Sequence, residues 1–434
     1  MILTDYNFTV TDLGERNIPS PLNIANFTAN KKRLLLNCFL DATKIENGQD
    51  LSLSIELAGP SEKIYFDPCR TKAAVVTCGG LCPGINDVIR SITMELFYRY
   101  GVKDIVGIKY GFRGFIPEYG YKPVPLMPDM VKDITSIGGS ILSCSRGHQD
   151  VNLIIDSLAR ENIDILFCIG GDGTMRAVQE IASGVMKRKS KIAVIGIPKT
   201  IDNDLNLIQK SFGFDTAIEE TVSAIRCAHV EAKGAVNGIG LIKIMGRYSG
   251  HIAANAALAQ NDTNFVLIPE VPFDLAGKKG FFKCLEKRVK ASGHAVIVVA
   301  EGAGQDLLKK LDEPVGTDPS GNIRLRDIGL FLKNEITKYF KEINLEINLK
   351  YIEPSYMIRS VVANAADSIY CSSLGQYAVH AAMAGKTGVL VALMKEEYVL
   401  LPLSAAASRR KIDPQGDFWL RVLEATGQPP TMKN

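Results

Sequence analysis

Two carboxylates stand two residues apart in the segment Pro198-Lys199-Thr200-Ile201-Asp202-Asn203-Asp204, directly after the apolar run IAVIGI. Like charges held beside a buried strand end raise each other's pKa, and such pairs often act as a general base or bind a metal ion. A turn is the structural alternative, because Asp and Asn favour turns. The segment therefore predicts either a base or metal site, or a polar turn.

A further carboxylate lies among the glycines of Gly170-Gly171-Asp172-Gly173-Thr174, which follows the apolar run IDILFCI. Glycines let main-chain amides face a phosphate, and one carboxylate beside them suits the Mg²⁺ that phosphoryl donors carry. A structural turn in which Asp172 caps the following helix is the alternative. The segment is therefore a candidate phosphate and metal loop.

A third glycine-rich loop, GGLCPG, begins at Gly79 after the apolar run AAVVTC. Glycines at a strand end and a helix N-terminus can together bind a phosphate, although a tight strand-to-helix turn would look the same. The spacing is not G-x-G-x-x-G, which counts against a nicotinamide oxidoreductase. Cys78 and Cys82 lie close together here, but no second Cys or His pair accompanies them, so we do not predict a zinc site.

The elements that carry these loops alternate along the chain. Apolar runs without polar alternation predict strands buried on both faces, and strand-helix alternation predicts parallel sheets in a doubly wound α/β protein. Ligands bind such folds beyond the carboxyl ends of the strands, where these loops lie. The predicted strands are Ala73–Cys78, Ile105–Ile108, Ile163–Ile169, Ile192–Ile197, Ile239–Ile244, Phe265–Ile268, Ala295–Ala300 and Gly388–Leu393, and the predicted helices are Asn86–Arg99, Val151–Glu161, Thr174–Lys189, Asp215–Lys233 and Asp367–Ala384.

Composition limits the functional classes. A chain of 434 residues predicts two domains with appendages. Its 50 Lys and Arg nearly balance its 47 Asp and Glu, so we expect no nucleic acid or membrane partner. Nine scattered cysteines suit a reducing compartment. The start MILTDYNFTV is not a secretory signal and no apolar run could span a membrane, so we expect a cytoplasmic protein.

GGDGT and PKTIDND, followed by Met245-Gly246-Arg247 in KIMGRYSG, resemble the phosphofructokinases, with matching order and spacing from about Lys72 to Trp419. The chain is most similar to the longer ATP-using enzymes of plants and trypanosomatids, which share GGLCPG, a segment like YIEPSYMIR and an N-terminal extension. The resemblance implies an α/β fold with two doubly wound parallel-sheet (Rossmann-like) domains. We expect an N-terminal extension at 1–68, a nucleotide-binding domain at 69–214 plus about 358–405, and a sugar-phosphate-binding domain at 215–357 plus about 406–434.

The resemblance also implies residue roles for an ATP-dependent 6-phosphofructokinase. Asp202 would take the proton from the sugar 1-hydroxyl, with Thr200 and Arg247 as further catalytic residues. Asp172 would hold Mg²⁺, and Asp204 would support the metal region. Arg146 and Arg247, each of which alone could be a surface charge, would be cations around the moving group. ATP contacts are expected from Gly80, Arg146, Gly147, Gly171, Asp172, Gly173 and Thr174. Fructose 6-phosphate contacts are expected from Thr200, Ile201, Asp202, Met245, Gly246, Arg247, Glu301, Lys350, Tyr356, Met357, Ile358 and Arg359.

Three positions depart from the short bacterial enzymes. Gly238 stands where they use an arginine from a neighbouring subunit, Lys350 replaces another arginine, and Tyr356 replaces a histidine. A lysine offers a point charge rather than a bidentate fork, so recognition of the 6-phosphate differs in detail. The resemblance implies an allosteric homotetramer, but no effector site can be assigned from the bacterial pattern. The apolar residues Leu34–Leu36 and Cys38–Leu40 predict that the extension packs on the body or on a neighbouring subunit.

Two positions bear on the phosphoryl donor. Pyrophosphate-using members of the family have Asp where this chain has Gly173, and they have Lys where it has Lys199. An aspartate at 173 would repel the α-phosphate of ATP, whereas a lysine suits either donor, so Gly173 favours ATP. Pyrophosphate remains the alternative donor. Another kinase with a GGDGT loop, such as an NAD or lipid kinase, would lack TIDND and MGR, and a catalytically silent regulatory subunit would be expected to lack Asp202 or Asp172.

Overall fold

The computed structural model describes residues 6–28, 32–36, 53–308, 316–317, 323–406 and 409–434. In these ranges the strands are β1 (Thr11–Asp12), β2 (Ile18–Pro19), β3 (Arg33–Leu35), β4 (Ser54–Glu56), β5 (Lys63–Ile64), β6 (Lys72–Thr77), β7 (Asp104–Ile108), β8 (Val124–Pro125), β9 (Ile165–Gly170), β10 (Ala193–Pro198), β11 (Gly238–Ile244), β12 (Phe265–Leu267), β13 (His294–Ala300), β14 (Asn348–Ile352), β15 (Lys386–Thr387), β16 (Val389–Met394) and β17 (Glu397–Pro402).

The described helices are α1 (Ile85–Met94), α2 (Pro128–Val131), α3 (Val151–Arg160), α4 (Asp172–Lys187), α5 (Phe214–Lys233), α6 (His251–Ala259), α7 (Phe281–Ser292), α8 (Gln305–Leu308), α9 (Ile328–Glu342), α10 (Met357–Ser360), α11 (Ala365–Met383) and α12 (Asp417–Thr426). A π-helical turn, Glu95–Tyr100, continues α1. The chain divides into two compact units. The first comprises Met1–Thr200, Leu205–Gly213 and Val361–Arg409, and the second comprises Ile201–Asp204, Phe214–Ser360 and Arg410–Asn434.

The first unit is built on a seven-stranded sheet in the order β17-β16-β10-β9-β6-β7-β8. The strands from β16 to β7 pair in parallel, and the edge strands β17 and β8 are antiparallel. All of β9 is buried, which explains why its sequence lacks polar alternation. After β6 the chain first adds β7 on one side and then returns to add β9 on the other. In such sheets the loops on either side of this reversal diverge and leave a ligand crevice.

The N-terminal segment belongs to the first unit wherever it is described. Phe8, Leu36 and Ile55 are buried in the same apolar cluster as residues of the sheet. The side chain of Lys386, 6% exposed, pairs with Asp12 at 3.1 Å and with Glu56 at 2.6 Å. The predicted packing of this segment is therefore confirmed for the described residues. Cys38–Leu40, which the same prediction included, lie outside them.

The second unit is built on a parallel four-stranded sheet in the order β12-β13-β11-β14. Its apolar core includes residues of these strands and of α7 and α9. The predicted fold class, two doubly wound and mostly parallel α/β units, is confirmed. The sequence patterns missed β14, the helices α6, α7, α9 and α12, and the short helices α8 and α10. Half-buried β14 alternates exposed and partly buried residues, so it lacks the continuous apolar run by which the other strands were found.

Candidate active site

The two glycine-rich loops of the first unit lie side by side because β6 and β9 are neighbouring parallel strands. Gly84 caps the N-terminus of α1 with φ 92, and a Cβ there would overlap the sulfur of Cys371, so only glycine fits. Gly79 donates to the carbonyl of Ser145 at 3.1 Å, which brings the Arg146-Gly147 loop against the first glycine loop. The structure therefore brings together most of the residues expected to contact the nucleotide.

Asp172 is the first residue of α4, where the helix N-terminus favours a negative charge. Its side chain is only 9% exposed and is ion-paired with two arginines. Arg176 donates to both carboxylate oxygens, at 2.8 and 3.0 Å, and Arg409 donates to Oδ2 through Nε and Nη2, at 3.0 and 2.9 Å. Neither arginine was predicted from the sequence. Arg176 could have been found by its i,i+4 helical spacing, but nothing local points to Arg409.

Lys199 follows β10 and reaches the first glycine loop. Its Nζ donates to the carbonyl of Gly80 at 2.6 Å, and the residue is only 5% exposed. Gly173 is exposed, and a Cβ at this position would lie 3.9 Å from Nη2 of Arg176. A side chain would therefore fit at 173, and the fold itself does not require glycine there. Thr174 is buried beside the same loops.

The residues around Asp172 determine whether a magnesium ion could bind there. Among the described residues, no group of three or more His, Cys, Asp and Glu side chains is placed to hold a metal ion. Mg²⁺ at kinase sites is usually bound by one or two carboxylates together with substrate phosphates and waters. A bare cation at Asp172 would face two guanidinium charges, whereas phosphates would offset them. The residues therefore fit a magnesium ion that arrives with a phosphorylated ligand.

In the second unit, the main-chain carbonyls of Asp202, Asn203 and Asp204 each accept a hydrogen bond. Ser249 Oγ donates to the carbonyl of Asp202 at 3.1 Å, Arg410 Nη2 to that of Asn203 at 3.0 Å, and the Arg410 amide to that of Asp204 at 2.7 Å. Asn203 and Asp204 are buried, while Asp202 is partly exposed. The expected base therefore sits on a restrained loop.

The residues that precede Asp202 are less exposed to solvent than the residues of a polar surface turn. Ile201 is 7% exposed, and the carbonyl of Thr200, in the first unit, accepts from Ser211 Oγ at 2.6 Å. The main chain is therefore ordered by hydrogen bonds from before Asp202 to after it.

The loops after β11, β13 and β14 of the second unit form a charged cluster. Main-chain hydrogen bonds join Glu301 to Ile244 at 2.9 Å and Gly302 to Gly246 at 3.0 Å, which places the Met245-Gly246-Arg247 loop beside Glu301. Burial raises the pKa of the Glu301 carboxyl, and the charges of Arg247, Lys243 and Arg359 partly offset this. The charge of Glu353 raises the Glu301 pKa further, so this cluster combines carboxylates with cations. Such a cluster can bind a ligand that carries both hydroxyls and a phosphate.

Lys243 was not among the predicted residues of this cluster. It lies within the apolar run that predicted β11, so its charge was not considered as part of a site. Its ammonium group pairs with Asp327 at 2.9 Å and with Glu353 at 2.8 Å. Its charge is therefore already shared by two carboxylates. Arg247 donates to the carbonyl of Ile323 at 2.7 Å.

The remaining expected sugar-side residues differ in exposure. Tyr356 and Met357 are 65% and 67% exposed, and the Arg359 guanidinium lies 4.7 Å from the Tyr356 ring centroid. Ile358 is fully buried, so it could contact a ligand only through its main chain. Lys350 is exposed on β14. At Gly238, on β11, a Cβ would overlap the carbonyl of Ala232, so no side chain fits there.

Comparisons with known proteins give one consistent result. The sequence profile of the family described as phosphofructokinase matches residues 72–382. The chain is 49% identical to the ATP-dependent 6-phosphofructokinase of Borreliella burgdorferi over 442 residues, covering 99% of this chain and 98% of that protein. It is also 49% identical to the protein of that name from Amycolatopsis methanolica, covering 87% and 83%, and to ATP-dependent 6-phosphofructokinase 7 of Arabidopsis thaliana, covering 86% and 76%.

Solved structures support the fold alone, because their sequences are distant. The pyrophosphate-dependent phosphofructokinase of Nitrosospira multiformis superposes with a TM-score of 0.67 at 18% identity, covering 83% of this chain and 92% of that one. The phosphofructokinase of Pichia pastoris in the T-state superposes at 0.63 with 20% identity, covering 84% and 37%. Within the described part of the chain, no helix is both long and apolar enough to cross a membrane.

Proposed function

This chain belongs to the phosphofructokinase family, and on that premise we propose that it is an ATP-dependent 6-phosphofructokinase. It transfers the γ-phosphoryl group of ATP to the 1-hydroxyl of fructose 6-phosphate, which gives fructose 1,6-bisphosphate and ADP, a step of glycolysis. The observation that carries this proposal is 49% identity, over 86% to 99% of this chain, to proteins named ATP-dependent 6-phosphofructokinase.

Gly173 supports ATP over pyrophosphate. An aspartate there would face the α-phosphate of ATP, and at about 4 Å and an effective dielectric of about 20 the repulsion is roughly 4 kcal/mol. Such a repulsion lowers affinity by nearly a thousandfold. Lys199 would hold the terminal phosphate of either donor, so it does not discriminate. The alternative donor is pyrophosphate, and a comparison of initial rates with ATP and with pyrophosphate decides between the two.

On the donor side, the proposed contacts come from the glycine loops and their neighbours. Main-chain amides of Gly80, Gly147 and Gly171–Thr174 would bind the phosphates, and Arg146 and Lys199 would add positive charge. Asp172 would hold Mg²⁺, which neutralises charge on the phosphates when bound. The clustering of these residues within the first unit supports the assignment.

On the acceptor side, Asp202 would accept the proton of the sugar 1-hydroxyl as that oxygen bonds to the γ-phosphorus and the bond to the ADP oxygen breaks. Thr200 and Arg247 would assist at the reacting group. The cluster of Glu301, Arg247 and Arg359 would bind the sugar hydroxyls and the 6-phosphate. The remaining proposed sugar contacts are Ile201, Met245, Gly246, Lys350, Tyr356, Met357 and Ile358.

We further propose that the enzyme works as a cytoplasmic, allosterically regulated homotetramer, as its resemblance to the longer ATP-using enzymes implies. Sedimentation of the purified protein would report its assembly state directly. A monomer or dimer at micromolar concentration with full activity would reject the tetramer.

The deciding experiment measures initial rates with fructose 6-phosphate and either ATP or pyrophosphate, at matched Mg²⁺. We expect turnover with ATP and at least a hundredfold lower kcat/KM with pyrophosphate. The opposite preference would reject the donor assignment. Absence of turnover with both donors, in a folded protein, would favour a silent regulatory subunit.

A further inference from the structure

The Asp202–Asp204 loop is restrained by residues from two other segments of the second unit. Ser249, which ends the MGRYS segment, binds the carbonyl of Asp202, and Arg410 binds the next two carbonyls. Ser249 is only 1% exposed. The direction of the Asp202 carboxylate therefore depends on where these two segments lie.

One carboxylate joins the two segments. Glu270, just beyond β12, accepts hydrogen bonds from the amide of Gly250 at 3.1 Å on each of its oxygens. It also accepts from the amide of Ile412 at 3.1 Å. Gly250 directly follows Ser249, and Ile412 lies two residues beyond Arg410. Glu270 therefore links the segment that contains Ser249 to the segment that contains Arg410, and these two residues bind the Asp202–Asp204 loop.

The surroundings of Glu270 favour this fixed arrangement. A Cβ at Gly250 would overlap Ile268 and lie 3.2 Å from the Glu270 carboxylate, so only glycine allows the close approach. Burial raises the pKa of the Glu270 carboxyl, and its bonds to the amides of Ile412 and Gly250 partly offset this. Hydrogen bonds from amides to a carboxylate are stronger than those between neutral groups.

Burial lowers the pKa of the Arg410 guanidinium, and the charge of Asp204 partly offsets this. His251 is buried next to Gly250, and burial together with the charge of Arg410 lowers the His251 pKa to about 4. The imidazole is therefore neutral at pH 7 and adds no positive charge beside the guanidinium.

We propose that Glu270 is a positioning residue for phosphoryl transfer, which sets the direction of the Asp202 carboxylate through Ser249 and Arg410. This inference rests on the proposed role of Asp202 as the base. Glu270 is not among the proposed contacts of either substrate, so its removal should alter the rate of the chemical step rather than substrate binding. A misplacement of about 1 Å can cost about a hundredfold in rate.

The first test replaces Glu270→Gln, which keeps the size of the side chain but turns one acceptor into a donor facing the Gly250 amide. We expect kcat to fall by about ten- to a hundredfold, with KM for ATP and fructose 6-phosphate changed less than about threefold. Glu342→Gln, at an exposed glutamate of the same unit, is the matched control and should retain wild-type rates. Unchanged kcat in Glu270→Gln, or a change confined to KM, would overturn the proposal.

The second test separates positioning from general loss of structure. In an Asp202→Ser background, Glu270→Gln should lower the residual kcat by less than about twofold, because the group that it positions is gone. An equal fold-loss in both backgrounds would show that Glu270 acts through something other than Asp202. High residual activity of Asp202→Ser itself would instead reject the base assignment, so the two failures are distinguishable.

If Glu270→Gln does not fold, Ser249→Ala carries the test, because it removes only the bond to the Asp202 carbonyl. We expect kcat to fall several-fold with KM preserved, and Ser249→Thr, which keeps the hydroxyl, to recover part of the rate. Equal rates for Ser249→Ala and the wild type would count against the proposal. Circular dichroism and thermal melting of every variant report whether the fold is intact.

Discussion

Arg409 donates to Asp172 through two atoms, with Nε at 3.0 Å and Nη2 at 2.9 Å from the same carboxylate oxygen. Arg176 contacts both oxygens from the next turn of α4. The proposed metal ligand therefore carries two positive charges beside it. A divalent cation without phosphates would have to bind against both of them.

We expect free Mn²⁺, used as a paramagnetic substitute for Mg²⁺, to bind this protein weakly unless ADP is present. Arg409→Gln removes one of the two repelling charges, so it should strengthen binding of free Mn²⁺ several-fold and also raise KM for ATP. Electron paramagnetic resonance titration measures the free metal. Arg70→Gln, at a strongly exposed arginine of the same unit, is the control. Identical Mn²⁺ affinity in Arg409→Gln and in the wild type would contradict this explanation.

Replacing Asp202→Ser should lower kcat by roughly a thousandfold with little change in KM for ATP, because general-base and positioning effects are worth about 10²–10⁴-fold. The fold should survive, since Ser249 and Arg410 restrain this loop through bonds to its main-chain carbonyls. Steady-state kinetics and thermal melting measure both effects. A variant that keeps more than about a tenth of the wild-type activity would reject Asp202 as the base.

Gly173→Asp should depress kcat/KM with ATP by roughly two to three orders of magnitude, from repulsion of the α-phosphate. The structure accommodates the side chain, because among the described residues its Cβ would meet only Arg176, at 3.9 Å. Any gain with pyrophosphate should be small, since removing a block does not build a preorganised site. Kinetics with both donors provide the measurement.

Gly173→Asn is the matched control for this substitution, with the same shape and no charge. It should lose far less ATP activity than Gly173→Asp. Equal losses in both variants would attribute the effect to space rather than charge, and full ATP activity in Gly173→Asp would make Lys199 the determinant to study.

Lys386→Met should destabilise the first unit by about 2 kcal/mol, because it removes the cation that Asp12 and Glu56 share. Asp12 keeps its ion pair with Arg16 at 2.9 Å, so the loss falls mainly on Glu56. The estimate lies below the range for fully buried pairs, since Asp12 is 43% exposed. Urea unfolding and limited proteolysis should show a lower midpoint and faster cleavage within the first 68 residues. Lys63→Met, at an exposed lysine, is the control, and equal stability of the two variants would argue against this ion-pair cluster.

Sequence alone determined the elements and loops of the candidate active site. Continuous apolar runs located β6, β9 and β10, because strands buried on both faces cannot alternate polar residues. Motif order also predicted the glycine loops, Asp172 and Asp202. Local patterns were weaker for α6, whose residues are mostly apolar on every side and so carry no helical period.

Only the tertiary structure decided which distant residues meet these loops. Arg409 lies 237 positions from Asp172, and Arg410 lies 207 positions from the carbonyl that it binds on Asn203. Strand order brings such residues together to bury apolar faces and satisfy main-chain hydrogen bonds across the whole chain. A tandem arginine near the C-terminus has no periodicity or motif that names its partners. Its contacts therefore emerge only from folding.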